Sequence, residues 1–81
     1  MKLSKTFING LESVGLIEPA DYPAIAAASE EAGLKGGKGY SIGYIATIIK
    51  GAPTRPALVK LIIEYYEQKK QDYITILNET A

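Results

Sequence analysis

Residues 39–51 read GYSIGYIATIIKG and follow the loop GLKGGKG at 33–39. Ile42, Ile45, Ile48 and Ile49 are β-branched, so by residue type alone they suit a strand as well as a helix face. Their spacing of three and four, with Ser41 ahead and Gly51 behind, predicts a helix. The four isoleucines are then its expected buried stripe, with Gly43, Tyr44, Thr47 and Lys50 on the other side. Three glycines among residues 36–39 exclude regular structure in the lead-in and predict a mobile loop carrying Lys35 and Lys38.

Working outward, the same punctuation recurs. Ser4 can cap a first helix whose Leu3, Phe7, Leu11 and Val14 share one face, with Gly15 as its stop and Leu16 closing the contact behind it. IEPADYP is a turn that restarts a helix. Asp21 is the expected N-cap, and Pro23 is tolerated in the first turn. AIAAASEEAG continues it to Gly33, and its small side chains allow a close helix crossing. Thr54 is the expected cap of a helix with Pro56 in its first turn. Its expected core face is Leu58, Leu61, Ile62 and Tyr65, with Val59, Ile63 and Tyr66 as a second apolar edge. Beyond Ala57 there is no glycine or proline, so YITIL at 73–77 is expected to extend the helix rather than form a strand. The fold class is therefore all-α: a compact bundle of four to five short helices in one domain, residues 1–81.

Composition removes several function classes. The 81 residues are 47% hydrophobic, enough for a core, and contain no cysteine, so neither a disulfide framework nor a thiolate zinc site is expected. The chain has no histidine, and its nine carboxylates are scattered, so an enzyme, a metal site and a cofactor are not expected. No apolar run approaches the roughly 20 residues of a membrane span, and no secretory pattern follows Met1; the expected location is the cytoplasm. Ala32 to Lys38 has the spacing of a phosphate-loop start. However, Gly39 stands where a serine or threonine must hold magnesium, and no apolar strand precedes it. That reading is discarded.

The net charge is zero, yet the charges are segregated. Residues 1–31 hold Lys2 and Lys5 against Glu12, Glu18, Asp21, Glu30 and Glu31, a balance of −3. Residues 32–63 hold Lys35, Lys38, Lys50, Arg55 and Lys60 and no acid, a balance of +5. A basic block inside a neutral chain suits an anionic partner docking on one face.

The stretch YSIGYIATIIKGAPTRPALVKLIIEYY resembles the lambda-repressor-like and Cro-like helix-turn-helix DNA-binding domains. The resemblance rests on Ser41, Tyr44-Ile45, Ile48, Lys50-Gly51, Pro53, Pro56 and the run Leu58 to Ile63, and it covers about residues 22–66. It departs in the turn: counted from Gly33, about six residues are added to the usual three or four. What the resemblance implies is sequence-specific binding of double-stranded DNA by a small transcriptional regulator of the phage, plasmid or mobile-element kind. The helix after Ser41 would enter the major groove with Ser41, Ile42, Tyr44 and Thr47 toward the bases. Lys35, Lys38, Lys50, Arg55 and Lys60 would meet phosphates. Tyr66, Tyr73, Ile74 and Leu77 are the expected homodimer surface; completing the monomer core is the other use for these residues. No small-molecule substrate is implied. The rival reading is a helical protein-interaction module or inhibitor, supported by neutral charge and six tyrosines.

Overall fold

The computed structural model describes residues 1–80; Ala81, the end of the C-terminal stretch 71–81 that holds most of the expected dimer residues, lies outside them. Four helices follow in order: α1 Lys5–Ser13, α2 Asp21–Glu31, α3 Ile42–Ile49 and α4 Pro56–Thr80. Among the described residues there is no strand. The all-α class holds, but the last helix is not short. Its 25 residues run about 37 Å at roughly 1.5 Å per residue, most of the 44 Å long axis of the molecule.

The expected caps hold at both serines. Ser4 Oγ accepts from Phe7 N–H at 3.4 Å and Ser41 Oγ from Tyr44 N–H at 3.2 Å. The helix stops hold as well. Gly15, Gly33 and Gly51 sit at left-handed φ of 71°, 75° and 114° directly after the helix caps. Each closes the paired hydrogen bonds of a Schellman turn, with Leu16 N–H reaching Leu11 O, Leu34 N–H reaching Ser29 O, and Ala52 N–H reaching Thr47 O.

α2 packs on both α3 and α4, as its alanines permit. The core is Leu3, Leu11, Leu16, Ile25, Ile45, Ile48, Ile49, Leu58, Val59, Ile62 and Tyr66. Several expectations change here. Ile42, the first residue of α3, is 52% exposed and leaves the stripe. α4 buries Leu58, Val59, Ile62 and Tyr66, while Leu61, Ile63 and Tyr65 are only half-buried. Tyr66 is wholly buried, so it is core and not dimer surface. Val14 is 49% exposed, since it follows the last residue of α1.

Asp21 is not the expected cap; it is the first residue of α2, and its carboxylate is buried. It accepts from Glu18 N–H at 2.8 Å, Tyr65 Oη at 2.9 Å, Tyr66 Oη at 3.0 Å and Lys69 Nζ at 2.7 Å. Lys69 also meets Glu18 Oε1 at 2.7 Å and Leu16 O at 2.6 Å. Thr54 likewise does not cap α4. The Arg55 carbonyl takes the first amides, from Leu58 and Val59, and Thr54 pairs its backbone with Met1 in both directions.

Burial raises the Asp21 carboxyl, but the Lys69, Glu18, Tyr65 and Tyr66 donors together overcome it and hold it below 3.8. Burial lowers the Lys69 ammonium, and its bonds to Asp21 and Glu18 overcome that and hold it above 10.5. Burial, aided by the Asp21 charge and hydrogen bonds, raises the Tyr65 and Tyr66 hydroxyls above 10.0. The carboxyl's contribution is therefore full above 3.8 and lost as pH falls through its folded value. The contributions of Lys69 and the tyrosines are full below about 10 and lost as pH rises beyond it.

Two stability tests follow. Asp21→Asn removes one partner of a buried pair and should cost roughly 3 kcal/mol in urea unfolding at pH 7. It should also flatten the loss of stability expected of wild type as pH falls below 3.8; a variant as acid-sensitive as wild type would refute the assignment. Gly39→Ala places a Cβ 2.7 Å from Glu30 N at a φ of +69°. It should lower stability by about 2 kcal/mol or more, whereas Gly43→Ala, with open space around it, should raise it by up to about 1 kcal/mol.

Candidate nucleic-acid interface

The turn between α2 and α3 is more ordered than its composition suggests. Gly37, Lys38 and Gly39 donate backbone bonds to Gly33 and Leu34, to Lys35 and to Leu34 respectively. Gly39 is pressed against the α2 backbone at Glu30, where a side chain has no room. One residue on, Tyr40 N–H donates to Ser29 Oγ at 2.8 Å, and Ser29 in turn donates to Ala26 O at 2.7 Å. Ser29 is fully buried, so this hydroxyl is an internal staple that sets where α3 begins.

The staple places Tyr40 against Tyr44, with ring centroids 4.9 Å apart and planes 16° from parallel. Lys35 Nζ lies 5.7 Å from the Tyr40 centroid. Tyr44 Oη is hydrogen-bonded to Thr54 Oγ1 at 2.8 Å, which ties the start of α3 to the loop before α4. Arg55 closes the other side. Together these residues line an open cleft of 630 Å³ between the turn and the first residues of α4.

The sequence-expected DNA contacts are not all gathered together. Ser41, Ile42, Tyr44, Thr47 and Lys50 are exposed along α3 and its ends. Lys35 and Arg55 share the cleft with Tyr44. Lys38 is exposed on the turn. Lys50 lies in a separate groove with Lys5 and Glu12, between α1 and the end of α3. Lys60 is beside Glu64 and Glu67 in a third, so it faces acid rather than extending a basic surface. The basic block of the sequence thus divides in space. Of the expected dimer residues, Tyr73, Ile74 and Leu77 are exposed on the last turns of α4.

Tyr40 and Ser29 were not among the expected site residues, and Thr54 was expected only as a helix cap. Tyr40 and Tyr44 have the four-residue spacing of stacking partners, a signal hidden because Tyr40 precedes the helix. Nothing local marks Thr54 or Ser29, whose partners are ten and eleven residues away.

No helix among the described residues is long and apolar enough to cross a membrane. No family model, curated protein or solved structure matches the chain. The likeness to lambda-repressor-like domains accordingly stands on the residues that carry it.

Ser29→Ala should cost about 2 kcal/mol, because it strands the Tyr40 N–H. It should also speed hydrogen exchange at Tyr40 more than at Ile62 in the core. Equal acceleration at both would mean that Ser29 only supports global stability.

Proposed function

We propose that the chain binds double-stranded DNA through the uncovered face of α3, as a small non-enzymatic cytoplasmic regulator of transcription. The observation that carries this reading is the exposure of Ser41, Gly43, Thr47 and Lys50 on a helix whose opposite side is core, with Lys35 and Arg55 beside its first turn. α2 and α3 would act as the helix-turn-helix, with residues 32–41 as its lengthened turn.

The hydroxyls on this face have defined remaining capacity. Ser41 Oγ already accepts from Tyr44 N–H, so its proton is free to be donated to a phosphate. Thr47 Oγ1 donates to Tyr44 O at 2.7 Å, so its lone pairs are free to accept from a base amino group. Gly43 leaves the middle of the face low, which permits close approach. Lys35, Lys38, Lys50 and Arg55 supply phosphate contacts; Lys60, beside two acids, is the weakest of the set. A dimer would use Tyr73, Ile74 and Leu77 and place two α3 helices on successive half-sites.

A second reading, a protein-interaction module, is favoured by one observation. Tyr73, Ile74, Ile76 and Leu77 are 36–58% exposed on one helix end, an apolar row that suits a protein partner.

Salt separates the two. Duplex affinity should fall with a log–log slope of about 0.9 for each phosphate neutralised. Lys35→Ala and Lys50→Ala should each weaken binding and reduce that slope by about one, while Tm stays unchanged. Absence of any shift with pooled genomic or random duplex at low salt would sink the DNA reading. Binding to a protein partner that is insensitive to salt would favour the second.

A further inference from the structure

The cleft between the 33–40 turn and α4 holds an aromatic wall that reading a duplex with α3 leaves unused, beside Lys35 and Arg55, which that reading assigns to duplex phosphates. Its 630 Å³ falls within the roughly 300–1,000 Å³ of small-ligand sites. Lys35 and Arg55 line it, and no acidic residue does, so an entering ligand should be anionic. The Tyr40–Tyr44 pair gives it a stacked aromatic wall, so the same ligand should carry a planar ring.

The wall is held in place before any ligand arrives. Tyr40 is fixed by the hydrogen bond its backbone N–H donates to Ser29 Oγ and by Tyr44 against its ring. Tyr44, the more exposed of the two at 38%, is restrained at its far end by Thr54. A third ring can therefore add to Tyr44 with little ordering cost. Arg55 follows Thr54 directly, and its guanidinium fork matches a phosphate bidentately, while Lys35 adds a mobile point charge.

We propose that this cleft binds a nucleotide, with the base stacked on Tyr44 and the phosphate held between Lys35 and Arg55. The chemistry is shared by a free mononucleotide and by an unpaired nucleotide within a strand. A base inside an intact duplex has both faces covered and cannot stack there. The base site is thus distinct from duplex reading by α3, although the two share the cations Lys35 and Arg55.

The test is an amide-resolved NMR titration of the full chain with adenosine monophosphate, a short single-stranded oligodeoxynucleotide, an intact duplex and ribose 5-phosphate. The expected result is that the first two shift resonances of Lys35, Tyr40, Tyr44 and Arg55, and that ribose 5-phosphate binds at least ten-fold more weakly. Tyr44→Leu should weaken the mononucleotide about ten-fold. Arg55→Gln, a change at an exposed residue that keeps the fold, should do so through the phosphate. Response to the strand alone supports the site with an unpaired strand nucleotide as its source; response to both includes the free nucleotide. The proposal is overturned if only the duplex perturbs the cleft, if ribose 5-phosphate binds as well as the mononucleotide, or if neither variant weakens binding. Nucleotide binding without duplex binding would overturn the reading of α3 and leave this site standing.

Discussion

The Asp21 carboxylate is the constraint on which the helix arrangement depends. A buried carboxylate is costly unless each of its lone pairs is met. Here the donors come from three parts of the chain: the Glu18 amide before α2, two tyrosines on α4, and Lys69 one turn further along. Lys69 also holds the Leu16 carbonyl and the Glu18 carboxylate. One group therefore fixes the end of the α1–α2 connection, the first turn of α2 and the middle of α4. Displacing any one of them leaves an unmatched charge or a stranded hydroxyl. Among the described residues, every buried side-chain nitrogen or oxygen has a partner. That condition leaves little freedom in how α4 lies on α2.

With α2 and α4 fixed at one end, the other end of α2 positions the candidate site. Ser29 and Gly39 make a second seam there, one by a hydrogen bond and the other by having no side chain. This seam turns a glycine-rich stretch into a defined wall and sends the chain into α3 at Ser41. The cleft follows from it: Tyr40 lies on the wall, Tyr44 in the first turn of α3, and Thr54 and Arg55 across from them. The backbone pairing of Met1 with Thr54 braces that far side. Polar contacts within the fold thus set the spacing of the aromatic and cationic groups.

The two ends of the molecule differ in chemistry. At the α3 end, cations and hydroxyls surround a low helix face. At the other end, α4 extends past Lys69 with Tyr73, Ile74, Ile76 and Leu77 exposed. An isolated helix as short as residues 70–80 is marginal in water. In this molecule it is propagated from a first half anchored by Leu58, Val59, Ile62 and Tyr66, so it needs no nucleus of its own. The tail is consequently available as an apolar surface without being part of the core.

The sequence by itself determined the helices, because capping and stopping are local. Ser4, Ser41, Gly15, Gly33 and Gly51 act within four or five residues of where they stand, and the absence of glycine and proline beyond Ala57 carries α4 to its end. Which isoleucines face the core was legible for Ile45, Ile48 and Ile49, whereas the exposure of Ile42, the first residue of α3, was not. Only the tertiary structure decided that Asp21 is a hub instead of a cap, that Tyr66 is core instead of surface, and that the cations divide among separate grooves. Hydrogen-bond partners 44 to 48 residues apart leave no periodic trace in the chain. Local backbone chemistry is written in neighbouring letters; the satisfaction of a buried charge depends on which distant groups the packed helices bring to it.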